Sequence, residues 1–304
     1  MSPADQLRQI LRASGLTQAN LASQLGVSFV TLNSWINGKS TPRRKALSKL
    51  EAAYLQFVGG TPLSEENRFT LISAAEKLSF DAHRLTSDPR LFERLVVAMT
   101  YHTDAIEGST MTLPDTRAVL LEGRTLANRT WVEQLEARNH HAALTWLLGE
   151  FRADGFVVSE ALILGLHLRL TNGILSDAGS YRKHAVRIAG TRVVVANPLR
   201  IHELIRDLCR RIPSAEKTPV RTLAFQHAAF EKIHPFADGN GRVGRLLLFA
   251  LALGANRVPP VVQRERRAVY FRALELAQVK ENMAPLEQFL AESMLATWDF
   301  LKRK

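Results

Sequence analysis

Leu7, Ile10 and Leu11 recur at the spacing of one helix face, and Gly15 behind them supplies a stop. Thr17 is placed to cap a second short helix carrying Leu21, Ala22 and Leu25, after which Gly26 allows a tight turn. Ser28 caps a third, with Leu32, Trp35 and Ile36 facing inward, closed by the turn dipeptide Asn37-Gly38. A fourth runs from about Pro42 to Leu55, and Gly59, Gly60, Thr61 and Pro62 then break the pattern. The rest is mostly helical in period. Leu91, Leu95, Ala98, Met99, His102 and Ile106 share a face that ends at Gly108, and further helices are expected over about 130–151, 159–172, 223–233 and 267–278. Leu246 to Leu253 is an unbroken apolar run that fits a helix buried on all sides. One segment reads differently: Val186 to Ile188, a turn at Ala189-Gly190, and Thr191 to Val195 are rich in β-branched residues and predict a hairpin.

The stretch L-T-Q-A-N-L-A-S-Q-L-G-V-S-F-V-T-L-N-S-W-I-N-G, from Leu16 to Gly38, resembles the Cro/repressor type of helix-turn-helix domain, with the caps, the turn glycine and the apolar spacing all present. That resemblance implies a third helix lying in a major groove, with Ser28, Phe29, Thr31, Asn33 and Ser34 toward the bases and Lys39, Arg43 and Arg44 on phosphates. Sequence-specific binding of duplex DNA then calls for a homodimer. The same bundle also serves elsewhere as a protein-contact module, and both uses stay open here.

Charge changes the picture only partly. The 304 residues hold 40 Lys plus Arg against 29 Asp plus Glu, a formal +11 that favours phosphates, nucleotides, nucleic acid or acidic protein surfaces. Residues 1–58 carry seven basic and two acidic side chains, a net +5 on a small module. No apolar stretch approaches the roughly 20 residues of a membrane span, so no membrane partner is expected. A single cysteine, Cys209, and an N-terminus without the basic-then-apolar pattern of a signal peptide fit a cytoplasmic protein. Zinc has no evident site, since His140 and His141 point to different helix faces and no H-E-x-x-H or cysteine cluster occurs.

The chemistry concentrates between the helices at 223–233 and 246–253, in His234-Pro235-Phe236-Ala237-Asp238-Gly239-Asn240-Gly241-Arg242-Val243-Gly244-Arg245. Pro235 disfavours helical backbone at His234, so the imidazole is expected where the first helix ends. Gly239, Asn240 and Gly241 can turn successive N–H groups toward one point at the start of the next helix, an anion nest reinforced by the helix dipole. Arg242 and Arg245, three apart, share a helix face and can fork onto phosphate oxygens. Asp238 is suited to a Mg²⁺ ion bridging phosphates, and His234 to taking the proton of an attacking hydroxyl.

These twelve residues resemble the Fic family motif H-x-F-x-D/E-G-N-G-R-x-x-R with every defined position present. The likeness extends over about 94–294. It implies a protein adenylyltransferase: His234 as general base, Phe236 anchoring the loop, Asp238 on Mg²⁺, and Gly239, Asn240, Gly241, Arg242 and Arg245 holding ATP. AMP would pass to a Ser, Thr or Tyr hydroxyl of a target protein. Family members that phosphorylate instead carry a bulky residue where this chain has Gly239.

Further positions follow from the resemblance. Gly179-Ser180-Tyr181-Arg182 leading into Val186 to Val195 is similar to the family's flap, which implies that Val193, Val194 and Val195 hold a target segment by strand addition. Tyr270 matches a family tyrosine near adenine, and Gln278 stands where many relatives have a ribose-contacting asparagine. A plain amphipathic helix gives the same spacing of that pair. Thr103-Asp104-Ala105-Ile106-Glu107-Gly108 resembles the inhibitory motif S/T-x-x-x-E-G/N, implying that Glu107 pairs with Arg245 and keeps ATP out of its reactive pose.

The expected protein is therefore mainly helical: a helix-turn-helix module over 1–58, a helical linker over 59–93, and a Fic-like catalytic domain over 94–304 with an N-terminal inhibitory helix and one β-hairpin flap. Two other functions compete with AMP transfer. One is a DNA-binding transcription regulator whose core senses nucleotide; the other is a Fic enzyme that uses another nucleotide donor or removes AMP.

Overall fold

A computed structural model describes residues 1–59, 63–152, 156–212 and 218–302. Gly60, Thr61 and Pro62 of the expected break lie outside the described residues. Four helices come first: α1 (Pro3–Ser14), α2 (Gln18–Leu25), α3 (Phe29–Ile36) and α4 (Arg44–Phe57). The side chains of Ser2, Thr17 and Ser28 accept hydrogen bonds from the N–H groups of Asp5, Asn20 and Thr31, so α1, α2 and α3 start at true caps. Gly15 and Gly26 take φ 67° and 68°, which ends α1 and α2. Leu7, Ile10, Leu21, Leu25, Leu32, Trp35 and Leu50 close a small core; each fully buried aliphatic side chain there contributes about 1.5–3 kcal/mol.

The second body contains α5 (Glu65–Glu76), α6 (His83–Ser87), α7 (Pro89–Glu107), α8 (Leu113–Leu121), α9 (Trp131–Arg152) and α10 (Glu160–Thr171). It continues with α11 (Ile201–Arg210), α12 (Val220–Ile233), α13 (Asn240–Gly254), α14 (Arg267–Lys280) and α15 (Ala284–Lys302). Short 3₁₀ turns, Pro198–Arg200 and Arg264–Arg266, precede α11 and α14. The apolar run Leu246 to Leu253 is buried on every face of α13. Around it, α13 packs on α12, α10, α9 and α7, while α12 also meets α11, α14, α15 and α5. The polar loop between α12 and α13 is thus fixed at the centre of the molecule by the two best-buried helices.

Helix α4 belongs to both bodies. Its Leu50, Ala53 and Tyr54 complete the small core, whereas Leu55 enters the large one. Arg266 holds both Glu51 of α4, at 3.0 Å, and Glu292 of α15. Arg272 donates to the Gln56 carbonyl at 3.3 Å.

The expected β-hairpin does not form. Among the described residues the sole β-pairing is an isolated bridge between Ser79 and Arg257. Gly190 does make a turn, at φ 75°. The flanking arms form no ladder, because side chains take their donors: Arg192 N–H goes to Glu275 Oε1 (3.1 Å) and Val193 N–H to Thr191 Oγ1 (3.2 Å). β-Branched composition favours strands, but pairing needs backbone groups that face each other.

Candidate active site

His234 ends α12 in the left-handed conformation, φ 50° and ψ 61°, a costly position for a residue with a Cβ. Neighbouring contacts hold it there. The buried Arg182 donates from Nε to the His234 carbonyl (2.7 Å) and from its backbone to the Pro235 carbonyl (3.0 Å). Arg182 also donates to the carbonyls of His184 and Ala196, so it ties the ends of the 186–195 segment to the loop between α12 and α13. Phe236 is wholly buried, its ring stacked on His167 of α10 with centroids 3.7 Å apart. His167 bridges Gly179 N–H and the Asp238 carbonyl. Asn240 turns its amide inward, accepting from Phe236 N–H (2.8 Å) and donating to Phe236 C=O (2.9 Å). The loop's polar groups are thus held by Arg182, His167 and Asn240, while Asn240 and Gly241 at the start of α13 line the cleft.

Gly239 caps α13 at φ 80°, where a Cβ would sit 3.2 Å from Thr171. Any larger residue there is strained twice, by backbone and by neighbour. Asp238 Oδ1 accepts from Gly239 N–H at 2.6 Å.

Both motif arginines are buried and already paired. Arg245 donates from Nε to Thr103 Oγ1 and from Nη2 to Glu107 Oε1, each at 2.6 Å. A Cβ at residue 241 would lie 2.5 Å from that Glu107 oxygen, so the carboxylate lies against the nest and a side chain at 241 would push it aside. Arg242 donates to Glu136 of α9 at 2.7 Å, a partner that has no signature in the sequence. Deeper still is Asp104, whose carboxyl burial pushes up to about 8, neutral beside two arginines. Burial lowers His234 below the ordinary imidazole value, so its ring is neutral near pH 7. Its Nδ1 lies 3.2 Å from the Glu231 carbonyl. A carbonyl can only accept, so Nδ1 carries the hydrogen and Nε2 presents a lone pair.

A cleft of about 670 Å³ gathers His234, Asp238, Gly239, Asn240, Gly241, Arg242, Glu107, Glu136 and Gln278. Arg187 to Thr191 form its rim and Phe271 and Leu274 part of its wall. Tyr270 does not line it: it is fully buried behind the cleft, close to Arg245 and with its hydroxyl 2.7 Å from His227 Nε2, and its neighbour Phe271 lines the cleft instead. Gln278 is at the wall with its amide donated to the Ala228 carbonyl. Of the segment expected to form a flap, residues 187–191 line the cleft, whereas Val193, Val194 and Val195 do not. Val194 is 82% exposed beside a separate apolar groove with Leu204, Leu208 and Phe225.

No cluster of three metal-ligating side chains occurs among the described residues. Asp238 beside the nest suits a magnesium ion that takes its remaining ligands from phosphates and water, the usual habit of that ion.

On the first module, Ser28, Phe29 and Val30 are exposed at the start of α3 with Lys39 and Arg43 nearby in sequence and also exposed. Thr31 and Asn33 are half-buried: Thr31 bonds Ser28, and Asn33 donates to Gln18 at 3.3 Å. Arg44 differs from the expectation of a free phosphate contact, since its guanidinium is bonded to Gln263 of the second body. Among the described residues, no helix is long and apolar enough to cross a membrane.

Residues 157–252 match the model of the Fic/DOC family, and residues 7–54 match a helix-turn-helix model. Curated relatives include a protein adenylyltransferase of Caenorhabditis elegans, 30% identical over 211 residues that span 67% of this chain and 40% of the relative. A Drosophila ananassae protein adenylyltransferase is 29% identical over 203 residues, 66% of this chain and 40% of that protein. The chain thus covers about two fifths of these relatives' length. Among solved structures, Fic-1 of C. elegans shares the fold, with a TM-score of 0.68, 22% identity, and coverage of 96% of this chain and 90% of that one. A Fic family protein of Desulfovibrio desulfuricans has a TM-score of 0.63 at 25% identity over 79% of this chain and 75% of its own.

Proposed function

Because the chain belongs to the Fic/DOC family through its domain at residues 157–252, we propose that it transfers AMP from ATP to a hydroxyl side chain of a target protein. The observation that carries this reading is one cleft in which a neutral His234 faces a helix N-terminus flanked by Arg242. The N–H groups of Asn240 and Gly241, joined by that of Gly239 once Asp238 releases it, cradle the α- and β-phosphates, and Arg242 and Arg245 take the remaining phosphate charge. Asp238 would hold Mg²⁺, which would supply neutralisation of phosphate charge. His234 Nε2 accepts the proton of the incoming hydroxyl as its oxygen bonds to the α-phosphorus. The bond from the α-phosphorus to the α–β bridging oxygen breaks, and pyrophosphate leaves with that electron pair. Rim residues 187–191 border the place where the target's hydroxyl must enter.

Glu107 on Arg245 is the resting state of this site and inhibits it, because the carboxylate occupies the space and the donor that a phosphate needs. Incubating the chain and its Glu107→Gly variant with labelled ATP and labelled UTP tests the reading. Protein-bound label from ATP supports it. Label from UTP alone reassigns the donor, and label from neither, with ATP bound, removes AMP transfer as the activity.

The exposed start of α3 supports a second role, binding of duplex DNA by the first module. The full chain should bind DNA with an affinity that falls steeply with salt as counterions are released. Arg43→Ala or Lys39→Ala should each flatten the log–log salt slope by about one, and Arg44→Ala by less, since Gln263 already holds that side chain. No retention of any duplex fragment at low salt would leave the module as a protein-contact bundle.

A further inference from the structure

Glu231 lies one helical turn before His234 and lines the same cleft, yet nothing so far gives it a task. It is 5% exposed, and its Oε1 is buried with no hydrogen-bond partner. No ion pair to it forms among the described residues, although Arg245 is close enough for its charge to be felt. Burial pushes the carboxyl up to about 7. A buried, unsatisfied carboxyl is unfavourable in itself, so something that binds must complete it or the fold carries the penalty unrelieved. The chain also makes room for it. At Gly244, in the first turns of α13, a Cβ would collide with the Glu231 carboxyl and stand 3.1 Å from the Phe230 ring. Glycine is a poor helix former, and here its missing side chain is what admits the carboxyl.

The charge of a carboxylate decides which part of a nucleotide it can face. In its ionised form, which grows as pH rises through about 7, it is repelled by the anionic phosphate oxygens, whereas a nucleoside offers ribose O–H and base N–H donors. Phe271, Leu274 and Ile188 give the same cleft apolar surface for a flat base, and Gln278 adds a second polar group there. We infer that Glu231 is a specificity-determining residue that accepts a hydrogen bond from a donor group of the bound nucleoside, a ribose hydroxyl or an exocyclic amine. This rests on the nucleotide-transfer reading above and names how that site selects its nucleotide.

Direct binding to the Glu107→Gly chain is the test, because it does not depend on transfer. The probes are ATP, 2′-deoxy-ATP, 3′-deoxy-ATP and purine riboside triphosphate, which lacks the 6-amino group. One of the three analogues binds about tenfold or more weaker than ATP and identifies the donor, the loss expected for a hydrogen bond to a charged group. Adding Glu231→Met, close in size but without an acceptor, weakens ATP by a similar factor and leaves that analogue unchanged. Glu231→Gln, which keeps an acceptor oxygen, restores most of the preference. Three analogues that all bind as tightly as ATP overturn the inference, even if the methionine variant does not fold. Unaltered discrimination in a folded methionine variant overturns it as well. If ATP binds with this pattern but no label is transferred, the transfer reading fails and Glu231 keeps its role.

Discussion

Replacing His234 by alanine is expected to lower AMP transfer by about a hundredfold to ten-thousandfold, the usual loss when a general base is removed. The ring is the only part lost. The left-handed backbone at 234 is held by Arg182 and Pro235 through main-chain groups, and those survive the substitution. ATP should therefore bind to His234→Ala about as well as to the parent, since the nest and both arginines are untouched. The pH profile of the parent gives the complementary check. Burial lowers the His234 value, so the acid limb of kcat/KM should fall below the ordinary imidazole value of about 6.5, with activity lost as pH drops through it. Transfer at an undiminished rate in His234→Ala removes this histidine from the chemistry; an acid limb above 7 contradicts its burial.

Glu107→Gly is expected to raise labelling of the chain or its target by tens of fold, within the range of roughly 5–150-fold typical of coupled sites. Arg245 cannot fork onto Glu107 and onto a phosphate oxygen at full strength, and in this structure it is on Glu107. Removing the carboxylate leaves a buried guanidinium without its partner, so the variant should be less stable than the parent by as much as about 3 kcal/mol. That figure allows for the 38% exposure of the Glu107 side chain, which lets water screen the pair. ATP supplies the missing anion, so it should raise the melting temperature of Glu107→Gly more than that of the parent. Arg245→Ala should be inactive, and it should remain so when combined with Glu107→Gly. A double variant as active as the single one, or a Glu107→Gly chain no more active than the parent, reduces Glu107 to a helix-end residue with an incidental neighbour.

Much of this was legible before any coordinates. The caps Thr17 and Ser28, the stops Gly15, Gly26 and Gly108, and the apolar periods of α1, α2, α3 and α7 are local signals, and local signals act on residues three or four apart. The loop from His234 to Arg245 was readable for the same reason: a nest, a helix start and a pair of arginines at i and i+3 are all defined by neighbours in the chain. The sequence alone determined that a glycine-rich loop opening a helix, with two arginines on one face, follows a histidine at a helix end, and that a helix-turn-helix module precedes it.

Other features depend on residues far apart in the chain, and only the tertiary structure decided them. Glu136 on Arg242 is separated from it by 106 residues, and His167 under Phe236 and Asp238 by 69 and 71, so no spacing rule could join them. Tyr270 and Phe271 are adjacent in an amphipathic helix, and which of them meets the cleft depends on how α14 is rotated against α12 and α15. The arms at 186–195 had strand-like composition, yet whether they pair depends on where Glu275 reaches the Arg192 N–H. Arg44 looked like one more exposed cation until α4 was seen to pack on the second body, where Gln263 takes its guanidinium. Local sequence fixes which backbone conformations and side-chain chemistries are available at each position; burial and long-range packing choose which of those groups face the cleft, which face each other, and which charges are already spent.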